Sequence, residues 1–517
     1  MKNALTVNDF LRRAEEIYPH RIAVVDEPTQ PAESWGEFTY AEMAARARAW
    51  AAWLDRHHIG VGERVAMVSQ NSARLLTALF GVSGSGRVLV PINFRLHSEE
   101  VRYIVGHCGA RVLFVDPELE ADLAGVECEH RFVLGDETDP GLEHLPPVPW
   151  VYDEDATATI NYTSGTTARP KGVQLTHRNI WLNATVFGWQ LGINDRDVYL
   201  HTLPQFHCNG WGVLYAATGM GARHIILRKV DGAEILRRVE QHGVTVMCGA
   251  PAVANMILDA AATWEGPIPG RDRVRIVCAG APPPTKTIER IETELGWEFI
   301  QIYGLTETTP LLTMNRGREE YDHLSPADRA VKLSRAGAPA LGVEMRVSPD
   351  GEVLARGNHI MAGYWNQPEA TADAIHSASD DTGGREWFHT GDGGSIDDDW
   401  YVSISDRKKD VIISGGENVS SIEVEDCVFS HPEVAEVAVI GIPDEKWGEL
   451  VLALVVTTPG SSLTEADVIA YTKTKLAGYK CPKRVEFRDA LARTATGKLQ
   501  KFKLREPYWA GLERKVN

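Results

Sequence analysis

The chain has 517 residues, 44% of them hydrophobic and 24% charged, which is the composition of a globular protein and not of a disordered or fibrous one. That length exceeds the size at which one hydrophobic core keeps growing, so we expect at least two domains. The formal net charge of −18 argues against nucleic acid as the principal partner, because phosphate backbones are bound by clustered lysines and arginines.

The seven cysteines are an odd number, are widely spread and form no Cys-x-x-Cys pair, so we expect reduced thiols in a cytoplasmic protein. The N-terminus carries Lys2, Asp9, Arg12 and Arg13 before any long apolar run and does not have the pattern of a signal peptide. Because the sequence contains no stretch of about 18 apolar residues, we expect no transmembrane helix.

The N-terminal half alternates helices with short apolar strands. A capping box at Thr39 and Glu42 starts a predicted helix, a strand follows at 64–68, a helix at 98–107 and a strand at 112–115. This alternation predicts a mostly parallel sheet that is covered by helices.

Residues 162–173, YTSGTTARPKGV, combine several hydroxyl side chains, a glycine and a lysine in one short segment. Gly165 frees the backbone to curl, so that amide N–H groups and hydroxyls can converge on an anion, and Lys171 adds a full positive charge. A Walker-type P-loop is excluded, because Pro170 precedes the lysine and Gly172 follows it. On its own, the segment fits a phosphate-binding loop and a polar surface turn about equally well.

Further strands are predicted at 224–227, 245–248, 274–278 and 299–303, and each of the last three ends at a small or glycine-containing turn. In open parallel sheets, ligands collect beyond the carboxyl ends of strands, so we expect a pocket at these turns. The turns are Gly249-Ala250-Pro251, Ala279-Gly280-Ala281 and Tyr303-Gly304.

The pattern changes at 344–357, EMRVSPDGEVLARG, where Pro349-Asp350-Gly351 predicts the turn of a hairpin in a separate β subdomain. Further on, the charge run 406–410, DRKKD, is predicted to lie between strands at 401–404 and 411–413. About 110 residues of mixed α+β structure follow, enough for an independent small domain. Its predicted elements are a helix at 421–430, strands at 436–440 and 450–457, a helix at 463–476 and a strand at 485–487.

Six motifs together indicate a family. They are YTSGTTARPKGV (162–173), LPQFHCNGWG (203–212), QIYGLTET (301–308), FHTGD (388–392), DRKKDVIISGGENVSS (406–421) and TATGK (494–498). In this order and spacing the chain resembles the AMP-forming acyl-CoA synthetases of the adenylate-forming superfamily along nearly its full length. The resemblance implies an α/β fold with a large N-terminal domain (1–408) of helix-covered sheets, which includes a β subdomain at about 335–405. It also implies a smaller, mobile α+β C-terminal domain (409–517) with its hinge at Lys409.

The family activates a carboxylate by attack on the α-phosphate of ATP, and a thiol then displaces AMP from the acyl-adenylate. Because two anions approach each other in the first step, cations and hydrogen-bond donors at the α-phosphate should dominate the catalysis. The resemblance implies ATP, Mg²⁺ and coenzyme A as the small molecules involved. It gives the catalytic roles to Lys498, presented by a loop of the small domain, to Thr306 at the α-phosphate and to Glu307, which also binds Mg²⁺.

The resemblance also implies binding roles along the chain. Phosphate binding falls to Thr163, Ser164, Gly165, Thr166, Thr167 and Lys171. Adenine and ribose binding falls to Gly280, Ala281, Gln301, Ile302, Tyr303, Gly304, Asp392 and Arg407. Tyr303 would stack on the base, and Asp392 would accept hydrogen bonds from the ribose hydroxyls. The channel for the thiol arm of CoA would be lined by Gly415, Gly416 and Glu417.

By resemblance to fatty-acyl synthetases, His207 and Trp211 border the acyl pocket. The sequence shows no charged selector for the ammonium group of an amino acid, so we expect a fatty acid, with an aryl acid as the alternative. Two other functions are an enzyme that loads a carrier-protein phosphopantetheine and a catalytically silent nucleotide-binding homologue. Glu307 and Lys498 together argue against the silent homologue. A homodimer is the expectation from the family.

Three positions depart from the usual pattern of the family. Ala168 replaces a frequent glycine, Ala492-Arg493 stands where a proline commonly precedes the finger loop, and Trp400 occupies a turn where glycine is usual. None of these departures removes a charged catalytic group.

Overall fold

The computed structural model describes residues 3–136, 139–140, 146–163, 169–378, 383–407, 410–414, 417–444, 447–494 and 499–510, with the backbone alone at 406 and 407. The strands are β1 Ile22–Val25, β2 Glu37–Thr39, β3 Arg64–Val68, β4 Val88–Ile92, β5 Ala110–Val115, β6 His130–Val133, β7 Thr157–Thr163, β8 Lys171–Thr176, β9 Val198–His201, β10 Arg223–Ile226, β11 Val246–Gly249, β12 Arg275–Cys278, β13 Glu298–Gly304, β14 Leu311–Asn315, β15 Ala338–Pro339, β16 Val343–Val347, β17 Glu352–Gly357, β18 Gly363–Tyr364, β19 Ile375–Ser377, β20 Glu386–Ile396, β21 Val402–Arg407, β22 Ile412–Ser414, β23 Glu417–Val419, β24 Val434–Asp444, β25 Gly448–Thr457 and β26 Arg484–Phe487. The helices are α1 Asn8–Ile17, α2 Tyr40–Arg56, α3 Ala73–Gly81, α4 Ser98–Cys108, α5 His177–Leu191, α6 Val213–Met220, α7 Gly232–His242, α8 Pro251–Ala261, α9 Thr285–Arg290, α10 Pro326–Leu333, α11 Pro368–Ala374, α12 Ser421–Phe429, α13 Glu465–Lys473 and α14 Lys501–Trp509.

A nine-stranded sheet has the order β15-β14-β13-β12-β11-β9-β10-β1-β2. The strands from β13 to β1 run parallel, and antiparallel strands lie at both edges. The carboxyl ends of β11, β12 and β13 therefore lie side by side, and the Ala279 N–H donates to the Gly249 carbonyl over 3.3 Å. The strands predicted at 245–248, 274–278 and 299–303 are confirmed to within one residue at each end.

A seven-stranded sheet has the order β18-β8-β7-β4-β3-β5-β6. The strands from β7 to β6 run parallel, whereas β8 and β18 are antiparallel additions at one edge. The strand predicted at 64–68 is confirmed residue for residue, and that predicted at 112–115 begins two residues earlier. The two sheets together confirm the expected helix-covered, mostly parallel architecture.

Alternate side chains of each sheet enter different cores. In β3, Val65 and Met67 join the large cluster of buried residues that both sheets share with α2, α3, α5 and α6, whereas Ala66 and Val68 face α4. Helices α7 and α8 cover the other face of the nine-stranded sheet. The predicted capping box starts α2, because the Thr39 hydroxyl accepts from the Glu42 N–H and the Thr39 N–H donates to the Glu42 carboxylate over 2.7 Å.

The predicted hairpin is formed by β16 and β17, which join an antiparallel sheet with β20, β19 and β21. The strand predicted at 401–404 extends further than expected, so the prediction for the end of β21 is wrong. This strand continues through Asp406 and Arg407, the first two residues of the charge run, because they pair with Gly393 and Asp392 of β20. Pairing along β20 satisfies their backbone groups, and strand structure continues although the residues are charged.

Before β21 the chain turns at Trp400, which has a left-handed φ of 64°. Its N–H donates to the Asp397 carbonyl over 2.9 Å, and the residue as a whole is 67% exposed. The resemblance to the family predicts a preference for glycine in this turn, and the left-handed backbone is a physical reason for such a preference.

The C-terminal region forms a second α+β unit in which β23, β22, β25 and β24 are antiparallel and β26 runs parallel to β25. Strand β24 is longer than the predicted 436–440, because it pairs with β25 along its whole length. Helix α13 is shorter than the predicted 463–476, since Thr464 caps its first turn. Among the residues described, none of the helices combines the length and the apolar character that crossing a membrane requires.

Candidate active site

Two paired strands hold the ends of the predicted phosphate loop. Thr163 is the last residue of β7 and Lys171 is the first of β8, and the antiparallel register places them opposite each other. The loop therefore starts at the carboxyl end of a parallel strand, where ligands collect in such sheets. Four of its predicted phosphate-binding residues lie outside the described residues: Ser164, Gly165, Thr166 and Thr167.

Glu307 and Lys171 approach the same aromatic ring. The Tyr364 hydroxyl donates to Oε1 of Glu307 over 2.8 Å, and Nζ of Lys171 lies 4.8 Å from the centroid of the Tyr364 ring, a cation–π distance. Tyr364 reaches this position because β18 pairs with β8. A carboxylate and an ammonium group are thus fixed close together, which is the charge pattern that a metal–phosphate complex requires.

Tyr364 contacts two predicted site residues and was not itself among the predicted ones. It lies in Gly363-Tyr364-Trp365, and a tyrosine between such neighbours is usually part of a core. Its hydroxyl is the signal that could have found it, because a buried tyrosine hydroxyl needs a hydrogen-bond partner. The pairing that supplies Glu307 as this partner joins segments that are far apart in the sequence.

On the acid side of the site, His207–Gly212 forms a left-handed turn. Cys208, Asn209, Gly210 and Trp211 have φ between 45° and 60°, and Gly212 has a φ of 82°. This conformation costs an L-residue roughly 1–2 kcal/mol. Such a turn persists only where the surrounding structure determines it.

Buried asparagines provide this support. The side-chain amide of Asn161 donates to Oδ1 of Asn209 over 3.1 Å, and the amide of Asn209 donates to the Thr159 hydroxyl over 2.9 Å. The Asn183 amide donates to the Trp211 carbonyl over 3.0 Å. The left-handed turn is therefore attached to β7, two residues before the end of that strand, and to α5.

Thr306 lies beside the left-handed turn. It opens the short 3₁₀ turn that follows β13, and Sγ of Cys208 donates to its carbonyl over 3.9 Å. Trp211 is only 4% exposed and belongs to the large core cluster, against which Tyr303 also packs. His207 is half-buried. The structure thus brings the predicted acyl-pocket segment next to the predicted α-phosphate residue.

The predicted adenine-side residues lie at the ends of β12 and β13. Gly280-Ala281 follows β12 with a left-handed φ of 96° at Gly280. Gln301 is buried, and its Oε1 accepts no hydrogen bond from the described residues. Gly304 leaves no room for a side chain, since a Cβ there would lie 1.6 Å from the Pro310 carbonyl oxygen. The Ile302 side chain is buried in the large core cluster, which leaves only its backbone for a ligand.

Tyr303 of β13 and Asp392 of β20 form a hydrogen bond at the carboxyl end of the large sheet. The Tyr303 hydroxyl donates to Oδ2 of Asp392 over 2.7 Å, and Asp392 is 5% exposed. Arg407 lies opposite Asp392 in the ladder between β20 and β21, and its side chain is outside the described part of the structure. The β subdomain is therefore joined to the carboxyl end of the large sheet at the predicted ribose-binding residue.

Glu352 is a second residue that the sequence analysis did not place at the site. Its Oε1 accepts from the Gly391 N–H over 2.8 Å, and its Oε2 lies 3.4 Å from Nδ1 of His389. Gly391 has a left-handed φ of 72°, so this loop bends sharply just before Asp392. A carboxylate directly after the hairpin turn is a signal in the sequence that could have found Glu352.

Of the predicted residues in the C-terminal region, Glu417 is exposed and pairs with Ser414 at the start of β23. Arg493 and Leu499 form an antiparallel bridge, so the two ends of the segment that carries Lys498 lie close together. The other predicted residues of this region are outside the described residues: Lys409, Gly415, Gly416 and Lys498.

Two family models match the chain, "AMP-binding enzyme" over residues 11–365 and "AMP-binding enzyme C-terminal domain" over residues 423–498. The first alone spans more than half of the sequence. The chain belongs to the AMP-forming acyl-CoA synthetases of the adenylate-forming superfamily. ATP and CoA are the co-substrates of these enzymes.

Similar proteins cover this synthetase almost from end to end. The 2-methylpropanoate–CoA ligase CCL4 of Humulus lupulus is 35% identical over 97% of this chain and 95% of its own length. The 4-hydroxybutyrate–CoA ligase 2 of Metallosphaera sedula is 35% identical over 97% of this chain and 94% of its own length. The crystal structure of ATP-bound MatB from Rhodopseudomonas palustris superposes with a TM-score of 0.82 at 28% identity, covering 97% of this synthetase and 99% of MatB.

Proposed function

We propose that this synthetase activates a short aliphatic monocarboxylic acid, at the short end of the fatty acids, and transfers the acyl group to coenzyme A. In the first step a carboxylate oxygen attacks the α-phosphorus of ATP and pyrophosphate leaves. In the second step the thiol sulfur attacks the acyl carbon and AMP leaves. The observation that carries the choice of a short acid is the burial of Trp211 in the left-handed turn beside Thr306.

In this proposal the indole of Trp211 closes the acyl pocket and leaves no room for a longer acyl chain. Its backbone is held left-handed, and the Asn183 amide bonds its carbonyl, while the indole is buried in the large core cluster, so it cannot move without repacking that cluster. Two similar proteins are named as ligases of four-carbon acids, 2-methylpropanoate and 4-hydroxybutyrate. Both features support a small acyl pocket bordered by His207 and Trp211.

In the adenylation step, Lys171 would bind the outer phosphates and Glu307 would bind Mg²⁺. Among the described residues, no group of three His, Cys, Asp or Glu side chains could hold a metal ion. One carboxylate together with phosphate oxygens and water is an ordinary Mg²⁺ site. Thr306 would contact the α-phosphate, and Lys498 would neutralise the carboxylate and the α-phosphate as they approach.

The nucleotide would lie along the ends of β12 and β13. The buried Oε1 of Gln301 needs a donor, and the exocyclic amine of adenine supplies one. Tyr303 would stack on the base while its hydroxyl orients Asp392 toward the ribose. Gly280-Ala281 would form the backbone edge of this pocket, and Arg407 would assist at the ribose.

A cleft of about 230 Å³ in the C-terminal region supports CoA, rather than a carrier protein, as the acceptor. It is lined by Ser414, Trp447, Gly478, Tyr479 and Lys483. Its two aromatic side chains are 39% and 44% exposed, and exposed aromatic rings stack on bases. The lysine supplies positive charge for a phosphate. Ser414, which lines the cleft, directly precedes Gly415 of the predicted thiol channel. The nucleotide end of CoA would therefore bind next to the entry of its thiol arm.

The division into domains at 1–408 and 409–517, with the hinge at Lys409, is also part of this proposal. It is supported by the gap between the two family matches, which end at 365 and begin at 423. A cytoplasmic location and a homodimer remain predictions.

The experiment that tests the proposal measures ATP- and Mg²⁺-dependent AMP release, with mass spectrometry of products, for acids from C2 to C18 and for aryl acids, with and without CoA. We expect acyl-CoA from acids of about two to six carbons, because the pocket is small. Preference for long-chain or aryl acids would overturn the choice of substrate. Adenylate without acyl-CoA would indicate a carrier protein as the acceptor.

Substitution of Trp211 tests the pocket directly. Trp211→Gly fits the left-handed backbone, and we expect it to shift the ratio of kcat/KM for octanoate over that for butyrate upward by at least roughly tenfold. Trp189→Gly is the matched control, because this tryptophan lies on α5 with 68% of its surface exposed. An unchanged ratio in Trp211→Gly would place the acyl chain elsewhere.

A further inference from the structure

Asp426 of α12 contacts a distant part of the chain. Its Oδ1 accepts from the Thr285 N–H over 2.9 Å, and its two carboxylate oxygens lie 3.2 and 3.4 Å from the Thr285 hydroxyl. Asp426 lies in the C-terminal family match and Thr285 in the N-terminal one. The contact therefore joins the two parts of the synthetase through charge-assisted hydrogen bonds, which are stronger than neutral ones.

The position of Thr285 connects this contact to the nucleotide pocket. Thr285 is the first residue of α9. It lies four residues after Ala281, which is at the predicted edge of the adenine site. The preceding Pro284 makes no side-chain cap and has no group that could accept from this N–H. Asp426 supplies the acceptor that the local sequence lacks, so α9 depends on the C-terminal region for this hydrogen bond.

A neighbouring contact shows which side of the C-terminal region faces the rest of the protein. The Ser420 hydroxyl donates to the Ser405 carbonyl of β21. Ser420 lies between β23, which begins at Glu417, and α12, which carries Asp426. The side formed by β23 and α12 is therefore the side that contacts the N-terminal region, and it carries the predicted residue of the CoA channel.

Leu499, the first described residue after Lys498, packs on the opposite face of this sheet. Alternate residues of β24 point to the two faces of its sheet, and Val437 and Val439 pack with α12. Ala438 and Ile440 belong to another cluster, on which Leu499 packs. Leu499 is thus on the other side of the sheet from α12, whereas the long side chain of Lys501, two residues further on, extends to α12 and forms an ion pair of 2.8 Å with Glu425.

We propose that Asp426 is a positioning residue for thioester formation. Its contact with Thr285 holds the C-terminal region in the orientation that turns Glu417 and the CoA channel toward the nucleotide pocket and turns the face of Leu499 away from it. This inference rests on the proposed two-step function. Loss of the contact would make this orientation less populated, which slows the second step and leaves the first step intact.

Two reciprocal variants test the proposal. Asp426→Ala removes the acceptor. Thr285→Pro removes both donors while preserving α9, because proline is favourable at the first helical position and Pro284 already has the ψ of 140° that a residue before proline requires. We expect each variant to slow thioester formation from synthetic acyl-adenylate and CoA by roughly tenfold, the effect of losing a hydrogen bond to a charged group. ATP–pyrophosphate exchange should change less than about twofold.

The double variant Asp426→Ala/Thr285→Pro should be no slower than either single one, because both remove the same interaction. The control is Glu289→Gln, which removes a charge on α9 that pairs with Lys286 of the same helix. Equal losses in both half-reactions, or no loss in either, would overturn the proposal.

A distance measurement keeps this test independent of the substrate. Nitroxides at positions 263 and 474, which are exposed in the two regions, can be introduced in a Cys128→Ser background, since the other six cysteines are buried. Pulsed EPR of the AMP-bound protein should give a narrow distance distribution that broadens in Asp426→Ala and Thr285→Pro and not in Glu289→Gln. Unchanged distributions would overturn the inference. If no acid is activated, the proposed function fails, whereas this measurement still decides the role of the contact.

Discussion

Tyr303 and Asp392 are 89 positions apart in the chain, yet the tyrosine hydroxyl donates to the aspartate carboxylate over 2.7 Å. The contact joins the end of β13 in the large sheet to β20 of the β subdomain. A single hydrogen bond therefore links the residue proposed to stack on adenine with the residue proposed to bind the ribose. If these two roles hold, base and sugar recognition depend on the docking of the subdomain.

Tyr303→Phe should weaken ATP binding through this link. The phenyl ring can still stack, but Asp392 loses a donor, and a hydrogen bond to a charged group contributes roughly 1.5–3 kcal/mol at most. We expect KM for ATP to rise about 3- to 10-fold, with kcat nearly unchanged. Steady-state kinetics at saturating acid and CoA measure this. Tyr471→Phe is the matched control. It removes a tyrosine hydroxyl as well, but this hydroxyl donates to the backbone carbonyl of Ser430 and not to a carboxylate. An unaltered KM for ATP would argue against the assigned role of Asp392.

Lys498→Ala should separate the two half-reactions. The lysine is proposed to stabilise the charges that meet at the α-phosphate, and deletion of one preorganised donor costs roughly 10²- to 10³-fold in rate. We expect ATP–pyrophosphate exchange to fall by that factor, while thioester formation from preformed adenylate survives. The exposed Lys503 of α14 provides the control variant Lys503→Ala. An equal fall in both half-reactions would show that Lys498 does not have this role.

A buried chain of hydrogen bonds makes stability depend on pH. Nε2 of Gln205 lies 3.1 Å from Nδ1 of His201, Nε2 of His201 lies 3.0 Å from Nδ1 of His224, and Nε2 of His224 lies 3.1 Å from the Thr218 hydroxyl. Because Oε1 of Gln205 accepts from the Ser72 N–H, the Gln205 amide donates, and each histidine carries its proton on Nε2. Burial lowers the pKa of His224 to about 3 and that of His201 well below its usual value.

The sign of the effect follows from these pKa values. Above about pH 6.5, both histidines are neutral in the folded and unfolded states. Below that pH the unfolded chain takes up protons that the folded chain does not, so the unfolding free energy falls by about 1.4 kcal/mol per pH unit for each histidine. We expect the unfolding free energy of His224→Gln, measured by denaturant titration, to fall less steeply between pH 6.5 and 4 than that of the unchanged protein. The exposed His20 gives the control His20→Gln, and a slope that is equal in the two variants would contradict this account.

Trp400→Gly should stabilise the protein. The left-handed backbone at Trp400 costs about 1–2 kcal/mol for an L-residue, and part of this gain is offset by the greater entropy of glycine in the unfolded chain. We expect the unfolding free energy to rise by about 0.5–1 kcal/mol, which urea denaturation at neutral pH can measure. The same replacement at Trp189 lies within α5 and should destabilise the protein, because glycine disfavours helix. A loss of stability in Trp400→Gly would show that the exposed indole contributes more than the backbone strain costs.

Most of the fold could be predicted from local patterns. Apolar runs that end in Gly249, Gly280 and Gly304 mark three strand ends, and the geometry of parallel sheets places such ends at one edge. The end of β21 could not be predicted in this way. Its last residues are charged, and they belong to the strand only because they pair with β20, which is a contact that the local sequence pattern does not show.

The rest of the site depends on contacts between distant segments. Tyr364 meets Glu307 only through the pairing of β18 with β8. Gly210 and Gly212 indicate a turn, but a left-handed Trp211 requires the amide of Asn183. Residues of this kind have ordinary neighbours in the sequence, and their function follows from the fold.

The attachment of the left-handed turn to β7 has a consequence for how the binding of the acid and the binding of ATP affect each other. Asn161 precedes Thr163, where the phosphate loop begins, by two residues, and the same Asn161 amide bonds Asn209 of the turn. An acid that displaces the turn would disturb this hydrogen bond and, through it, the strand end from which the loop departs. Linkage is reciprocal, so whatever factor the acid applies to the affinity for ATP, ATP applies to the affinity for the acid. Acids that fit without moving the turn would leave the affinity for ATP unchanged. Acids that move the turn could therefore be distinguished from those that do not by the ATP affinity measured in their presence.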